Sequence, residues 1–189
     1  MANALTAIRL LLVFPFAITM AAPDATHAFW TAFILLTAIA SDVLDGVIAR
    51  RRGTASAGGR LFDHATDALF VTSGLAAGAL RGAIPWILPV LVGAAFVQYV
   101  IDSYVLDRGG RLRPSALGRW NGILYFVPLV GDVVARLGWS SLRPVVVALA
   151  WVLVASTLVS IGQRFHATLT TRRRRAGSPA EGRGDRSRR

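Results

Sequence analysis

A chain of 189 residues that is 54 % hydrophobic, with a mean hydropathy of +0.53, is too apolar for an ordinary soluble domain. It carries a formal charge of +11, all of its 21 basic residues are Arg, and it has neither Lys nor Cys. Those absences exclude disulfides, thiolate metal sites, lysine-based phosphate loops and Schiff-base chemistry.

Apolar stretches recur at intervals of about 20 residues, the length that crosses a bilayer as a helix. They predict an all-α polytopic membrane protein with six spans at 4–22, 28–48, 61–80, 84–106, 116–134 and 145–161. The first span, with Arg9 ahead of an apolar run and Ala25 and Ala28 behind it, also has the outline of a signal peptide. Cleavage there would place the Arg-rich C-terminal end outside, against the positive-inside bias. With the N-terminus inside, 18 of the 21 Arg fall on the inner side and only Arg81, Arg136 and Arg143 outside. Trp30, Trp86 and Trp139 then mark the outer helix ends. Both termini are therefore expected in the cytoplasm of a bacterium, around an inner-membrane domain spanning 1–165.

Between the second and third spans the chain reads D-x2-D-G-x2-A-R-x8-G-x3-D-x3-D: Asp42, Asp45, Gly46, Ala49, Arg50, Gly59, Asp63 and Asp67. Asp42 and Asp45, at i,i+3, share a helix face with Gly46 and Ala49; Gly59, Asp63 and Asp67 repeat the arrangement at i, i+4, i+8. The short connection predicts that helices two and three are antiparallel neighbours facing each other. Asp42 lies 12 residues past Trp30, about 18 Å along a helix, which puts the carboxylates in the cytoplasmic half of the bilayer. Intramembrane carboxylates are costly and mark function. Four that converge make a cage for hard divalent cations and suggest phosphate chemistry.

Other acids read as structural. Asp132 and Arg136 have the i,i+4 spacing of a local ion pair, Asp24 falls in a loop, and Asp102 and Asp107 end the fourth span. His64 adjoins Asp63 but is expected to project away from the Asp63/Asp67 stripe. After Phe165 the composition turns to Arg, Gly, Ser and Pro, so 166–189 is expected to be a disordered cytoplasmic tail, with the Arg run at 172–175 anchoring topology or gripping anionic lipid.

In every fixed letter, including the eight-residue gap, the Asp motif resembles the signature of the CDP-alcohol phosphatidyltransferase family. Six helices with both ends inside also resemble that family. The resemblance implies transfer of a phosphatidyl group from CDP-diacylglycerol to a small polar alcohol with release of CMP, among membrane lipids and without nucleic acid; it leaves room for a homodimer. It implies that Asp42, Asp45 and Asp63, helped by Asp67, ligate one or two Mg²⁺ or Mn²⁺. It further implies that Asp42, Gly46, Ala49 and Gly59 line the donor, that Arg50 lies near its diphosphate, and that Asp67 is the catalytic base.

The opening N-x-L-T-x2-R (Asn3, Leu5, Thr6, Arg9) resembles the first helix of phosphatidylglycerophosphate synthases within the family, and the segment from Ser115 to Trp120 resembles the region before their fifth helix. Arg111, Arg113 and Arg119 either hold a phosphorylated acceptor such as glycerol 3-phosphate or serve as inner-loop charge. Ala68 and the pair Asn121-Gly122 depart from those synthases, which commonly have Lys after the last Asp and Lys-Thr at the second position. Inositol phosphate, serine and other alcohols stay open. Two other classes are compatible with intramembrane Asp: a UbiA-like prenyltransferase, which would need a second Asp cluster absent here, and a cation transporter, which has no use for Gly46, Ala49 and Gly59.

Overall fold

The computed structural model describes residues 2–52, 57–101 and 116–176. Over them the chain forms seven α-helices: α1 (Ala2–Ala21), α2 (Ala25–Arg52), α3 (Ala57–Leu80), α4 (Ile87–Ile101), α5 (Ala116–Leu124), α6 (Phe126–Arg136) and α7 (Arg143–Ala176). A 3-10 turn, Ser140–Leu142, leads into α7.

Local chemistry sets the boundaries. Asp24, predicted as a plain loop residue, caps α2: its Oδ1 accepts the His27 N–H at 2.9 Å. Gly82, at φ +72°, closes α3, with Gly82 N–H donating to Ala79 O and Ala83 N–H to Gly78 O. Gly138 (φ +126°) ends α6 similarly, Trp139 N–H reaching Val134 O. The predicted fifth span is divided at Tyr125 into α5 and α6. Pro128 has no N–H to offer the carbonyl four residues earlier, Leu124 O, so the ladder loses one bond there. Tyr125 N–H still donates to Asn121 O at 2.9 Å, so the two pieces continue as one run. α7 extends to Ala176, past the composition change at Phe165, since no Gly or Pro interrupts 166–175.

The helices close into a ring in which α2, α1, α3, α4, α7 and α6 pack in that order and α6 returns to α2. The centre is filled by Phe16, Met20, Phe70, Leu75, Leu88, Leu129 and Leu153, all fully buried. The second and third helices meet through their carboxylates at one end, while α1 packs on both along their length. α1 and α3 run parallel and in register. Arg9 meets Asp67, 58 residues on, and the same offset sets Phe16 against Gly74 and Met20 against Gly78. Gly74 and Gly78 form a G-x3-G stripe that lets the two backbones approach. Phe16 and Phe70 stack there, centroids 4.2 Å apart and 9° from parallel.

Large apolar side chains, among them Leu11, Phe14, Phe33, Leu36, Trp151 and Val152, are exposed around the bundle, far more than a water-facing surface carries. Among the described residues two helical segments are long and apolar enough to cross a membrane, Ala25–Leu44 and Ser140–Thr168; Thr6–Ala21 and Ile87–Ile101 are shorter apolar stretches.

At the end where α1 and α3 finish, the predicted Asp132–Arg136 pair is replaced by another. Buried Asp132 is ion-paired to Arg81 at the end of α3. Arg81 Nε also donates to Met20 O at 2.6 Å. Arg136 turns instead to the carbonyls of Thr19 (3.1 Å), in the last turn of α1, and Asp24 (3.4 Å), which also accepts the Ala28 N–H at the start of α2. A local spacing rule fails here because burial rewards whichever partner also satisfies those carbonyls.

Candidate active site

At the opposite end of the bundle, Asp63 and Asp67 project from the first turns of α3, and Asp42 comes from α2 on the far side of α1. Each offers a carboxylate oxygen, and the three oxygens lie within 4.8 Å of one another. Such a set of hard oxygen donors fits Mg²⁺ or Mn²⁺. Asp42 is the most open, its side chain 52 % exposed, against 33 % for Asp63 and 32 % for Asp67. Water and a polar substrate can therefore reach the cluster.

α1 supplies the complement. Arg9, 1 % exposed, places Nη1 on Asp63 Oδ1 at 3.1 Å and on Asp67 Oδ1, and Nη2 at 3.1 Å from Asp42 Oδ1. One turn earlier, the Thr6 hydroxyl lies 3.4 Å from the same Asp63 oxygen. Sequence reasoning had counted Arg9 as inner-side charge and as part of a family-like opening, without connecting it to the carboxylates. The T-x2-R spacing was visible, but only the interposition of α1 between α2 and α3 gives it a target.

Asp42, Asp67 and Arg9 form one corner of a cavity of about 690 Å³, whose other walls come from α4, α5, α6 and α7. Much of its lining is apolar, with Ile39, Val71, Val92, Phe96 and Phe126. Its polar lining includes Arg119, Arg164, His64, Tyr99 and Gln98, of which Arg119 and His64 are exposed. Arg164 sits over the Tyr99 ring, 5.4 Å from its centroid, and the His64 and Tyr99 rings are 5.9 Å apart. His64, expected to project around the helix from the Asp63/Asp67 stripe, is a cavity-lining residue, since α3 packs on α4 along that side. Behind the wall, Tyr125 Oη and Thr157 Oγ1 are 2.8 Å apart, and Ser156 donates to Asn121 Oδ1 at 2.7 Å.

The remaining predicted residues fall as follows. Asp45, Gly46, Ala49 and Arg50 lie on the last turns of α2, one to two turns past Asp42, but their side chains lie outside the described residues. Gly59 is half-buried in the first turn of α3. Arg119 is exposed and lines the cavity, whereas Arg111, Arg113, Asp102 and Asp107 lie outside the described residues. Gln98, Tyr99, Ser160 and Arg164 are cavity residues that no motif signalled.

A family model for CDP-alcohol phosphatidyltransferase matches residues 1–170. Among curated proteins, the chain is 26 % identical over 150 residues to a phosphatidylinositol phosphate synthase of Mycobacteroides abscessus, covering 77 % of this chain and 67 % of that one. It is 30 % identical over 99 residues to the CDP-diacylglycerol–glycerol-3-phosphate 3-phosphatidyltransferase of Mycoplasma genitalium, covering 52 % and 42 %. Identity to a cardiolipin synthase (CMP-forming) of Streptomyces coelicolor is 29 % over 124 residues, covering 59 % and 58 %. The chain thus spans from about two fifths to two thirds of the length of these relatives. Those matches set aside the prenyltransferase and transporter readings. With Asp42, Asp63 and Asp67 drawn together at one end of the bundle and the match running across every described helix, the chain belongs to the CDP-alcohol phosphatidyltransferase family.

Proposed function

We propose that this protein transfers a phosphatidyl group from CDP-diacylglycerol to a small alcohol, releasing CMP, as a step of phospholipid biosynthesis, and that the acceptor is glycerol 3-phosphate. The observation that carries the reading is the meeting of Asp42, Asp63 and Asp67 within 4.8 Å beside a cavity whose lining is largely apolar and includes Arg119 and Arg164. An apolar lining suits a lipid-linked donor, and Arg119 and Arg164 suit a phosphorylated acceptor.

Asp42, Asp45, Asp63 and Asp67 would hold one or two Mg²⁺ or Mn²⁺. When bound, the metal neutralises charge on the diphosphate and favours departure of CMP. Gly46, Ala49 and Gly59 leave room for the cytidine and ribose, and Arg50 draws the diphosphate toward α2. The acceptor oxygen forms a bond to the phosphatidyl phosphorus as the phosphoanhydride bond to CMP breaks. Asp67 takes the acceptor's hydroxyl proton; Arg9 engages its Oδ1 and so orients Oδ2 toward the hydroxyl.

The proposed setting is a bacterial inner membrane crossed six times, with α5 and α6 making one span and both termini in the cytoplasm. Trp30, Trp86 and Trp139 are each more than half exposed, and all lie at the end away from the carboxylates, as an outer aromatic belt requires. The relatives' names point to different acceptors, so an acceptor panel is the decisive experiment. Purified protein with CDP-diacylglycerol and Mg²⁺ is expected to release CMP with glycerol 3-phosphate, less with inositol phosphate, and none with serine. CMP release with serine alone would overturn the phosphorylated-acceptor reading, and no release with any acceptor would overturn the transferase reading.

A further inference from the structure

In the proposed chemistry the T-x2-R element of α1 serves only to orient Asp67 through Arg9. α1 contributes no carboxylate, yet its one buried cation touches all three acids. A single guanidinium serves them incompletely: the Nη2 contact with Asp42 lacks hydrogen-bond geometry, and Nε is buried with no hydrogen-bond partner among the described residues. Burying an Arg this completely is costly unless the charge is needed where it sits.

We propose that Arg9 is the resident counter-cation of the carboxylate site. It holds Asp42, Asp63 and Asp67 together and competes with a divalent ion for the same oxygens. The inference rests on the metal-site reading given above. Three carboxylates brought within 4.8 Å repel one another strongly in a bilayer setting, and Arg9 offsets that repulsion from the buried side. Mg²⁺ binds oxygens at roughly 2.0–2.1 Å, which allows at most about 4.2 Å between opposite ligands. Lone pairs aimed at Nη1 and Nη2 must turn toward it, so an entering ion displaces Arg9 from at least one carboxylate. The consequence is a site that stays assembled without its ion and binds that ion less tightly than three unpaired carboxylates would.

The test measures Mn²⁺ affinity of the purified full chain in detergent, without nucleotide, by calorimetry, and thermal unfolding in EDTA and in Mn²⁺. Arg9→Met is expected to bind Mn²⁺ roughly tenfold more tightly than the wild type. Its Tm in EDTA should fall, and saturating Mn²⁺ should raise its Tm by more than it raises that of the wild type. Arg9→Lys, which keeps the charge but reaches fewer oxygens, should shift both readouts in the same direction by less. If Arg9→Met does not fold, the Lys variant decides by the same two readouts. Equal or weaker Mn²⁺ affinity, with the same loss of Tm in EDTA and in Mn²⁺, would show a purely structural Arg9 and overturn the proposal. If the wild type and both variants bind no Mn²⁺ at all, the metal site fails, and the competition with it.

Discussion

The register of α1 against α3 holds the site together, and Gly74 is where it is most vulnerable. A Cβ added at Gly74 presses on Phe16 Cε1, with Phe16 Cζ at 3.0 Å and Leu129 Cδ2 at 3.1 Å. Carbon atoms pack best at about 3.5–4.0 Å, so the ring must move by at least half an ångström. It has little freedom to do so: Phe16 is fully buried and stacked on Phe70. Gly74→Ala gains about 1 kcal/mol of helix propensity against overpacking of about 3 kcal/mol, the upper end for such insertions. The net loss of about 2 kcal/mol corresponds to a fall in Tm of about 4–8 °C for a chain of this size. Thermal unfolding in detergent micelles reads it directly. Gly162→Ala is the control, since nothing lies within 4 Å of its added Cβ; its Tm should hold or rise. Phe16→Leu in the Gly74→Ala background should recover part of the loss. An unchanged or raised Tm for Gly74→Ala alone would refute the wedge between the two helices.

Four further outcomes are expected. Asp67→Asn should lower CMP release by about 10²–10⁴-fold, the usual contribution of a general base, while donor binding measured by calorimetry stays near that of the wild type. Gly59→Leu should raise the donor's Kd without lowering Tm, because Gly59 is only half-buried at the start of α3; unchanged Kd would argue against a nucleotide pocket there. Asp132→Ala should cost about 3–5 kcal/mol by leaving Arg81 without its partner. Pairing Asp132→Leu with Arg81→Met should cost clearly less than the two single losses together, as a double-mutant cycle in urea would read. For Asp24, the hydrogen bond from the His27 backbone N–H is the largest of the effects that hold its carboxyl below the usual carboxylate range. A lowered folded-state pKa means that its stabilisation is complete above the unfolded value and is lost as pH falls through the folded one. Asp24→Asn, which caps without titrating, should flatten the dependence of Tm on pH in that acidic window; an unchanged slope would assign the acid sensitivity elsewhere.

How much of this was legible in the chain follows from the range over which each signal acts. Helical spacing is a local property, and it correctly placed Asp63 and Asp67 on one stripe and Asp42 at the same end of the bundle. The same local logic misplaced the partner of Asp132, because the i,i+4 rule does not know that α3 ends beside α6 and brings Arg81 there. It also misses the division at Tyr125, although Pro128 is in view, and it gives no sign that His64 lines a cavity, which exists only once α4 has packed on α3. The largest omission has one cause. A short connection between two acidic helices suggested that they pack directly, whereas the G-x3-G stripe of α3 accepts α1 more closely. Once α1 occupies that groove, the offset that seats Phe16 on Gly74 also delivers Arg9 to Asp67, seven residues earlier on both helices. The glycine stripe thus has a chemical consequence two turns away: it sets the distance from which a buried cation meets the acids. A substitution that widens the α1–α3 interface should weaken the Arg9 contacts as well as the packing.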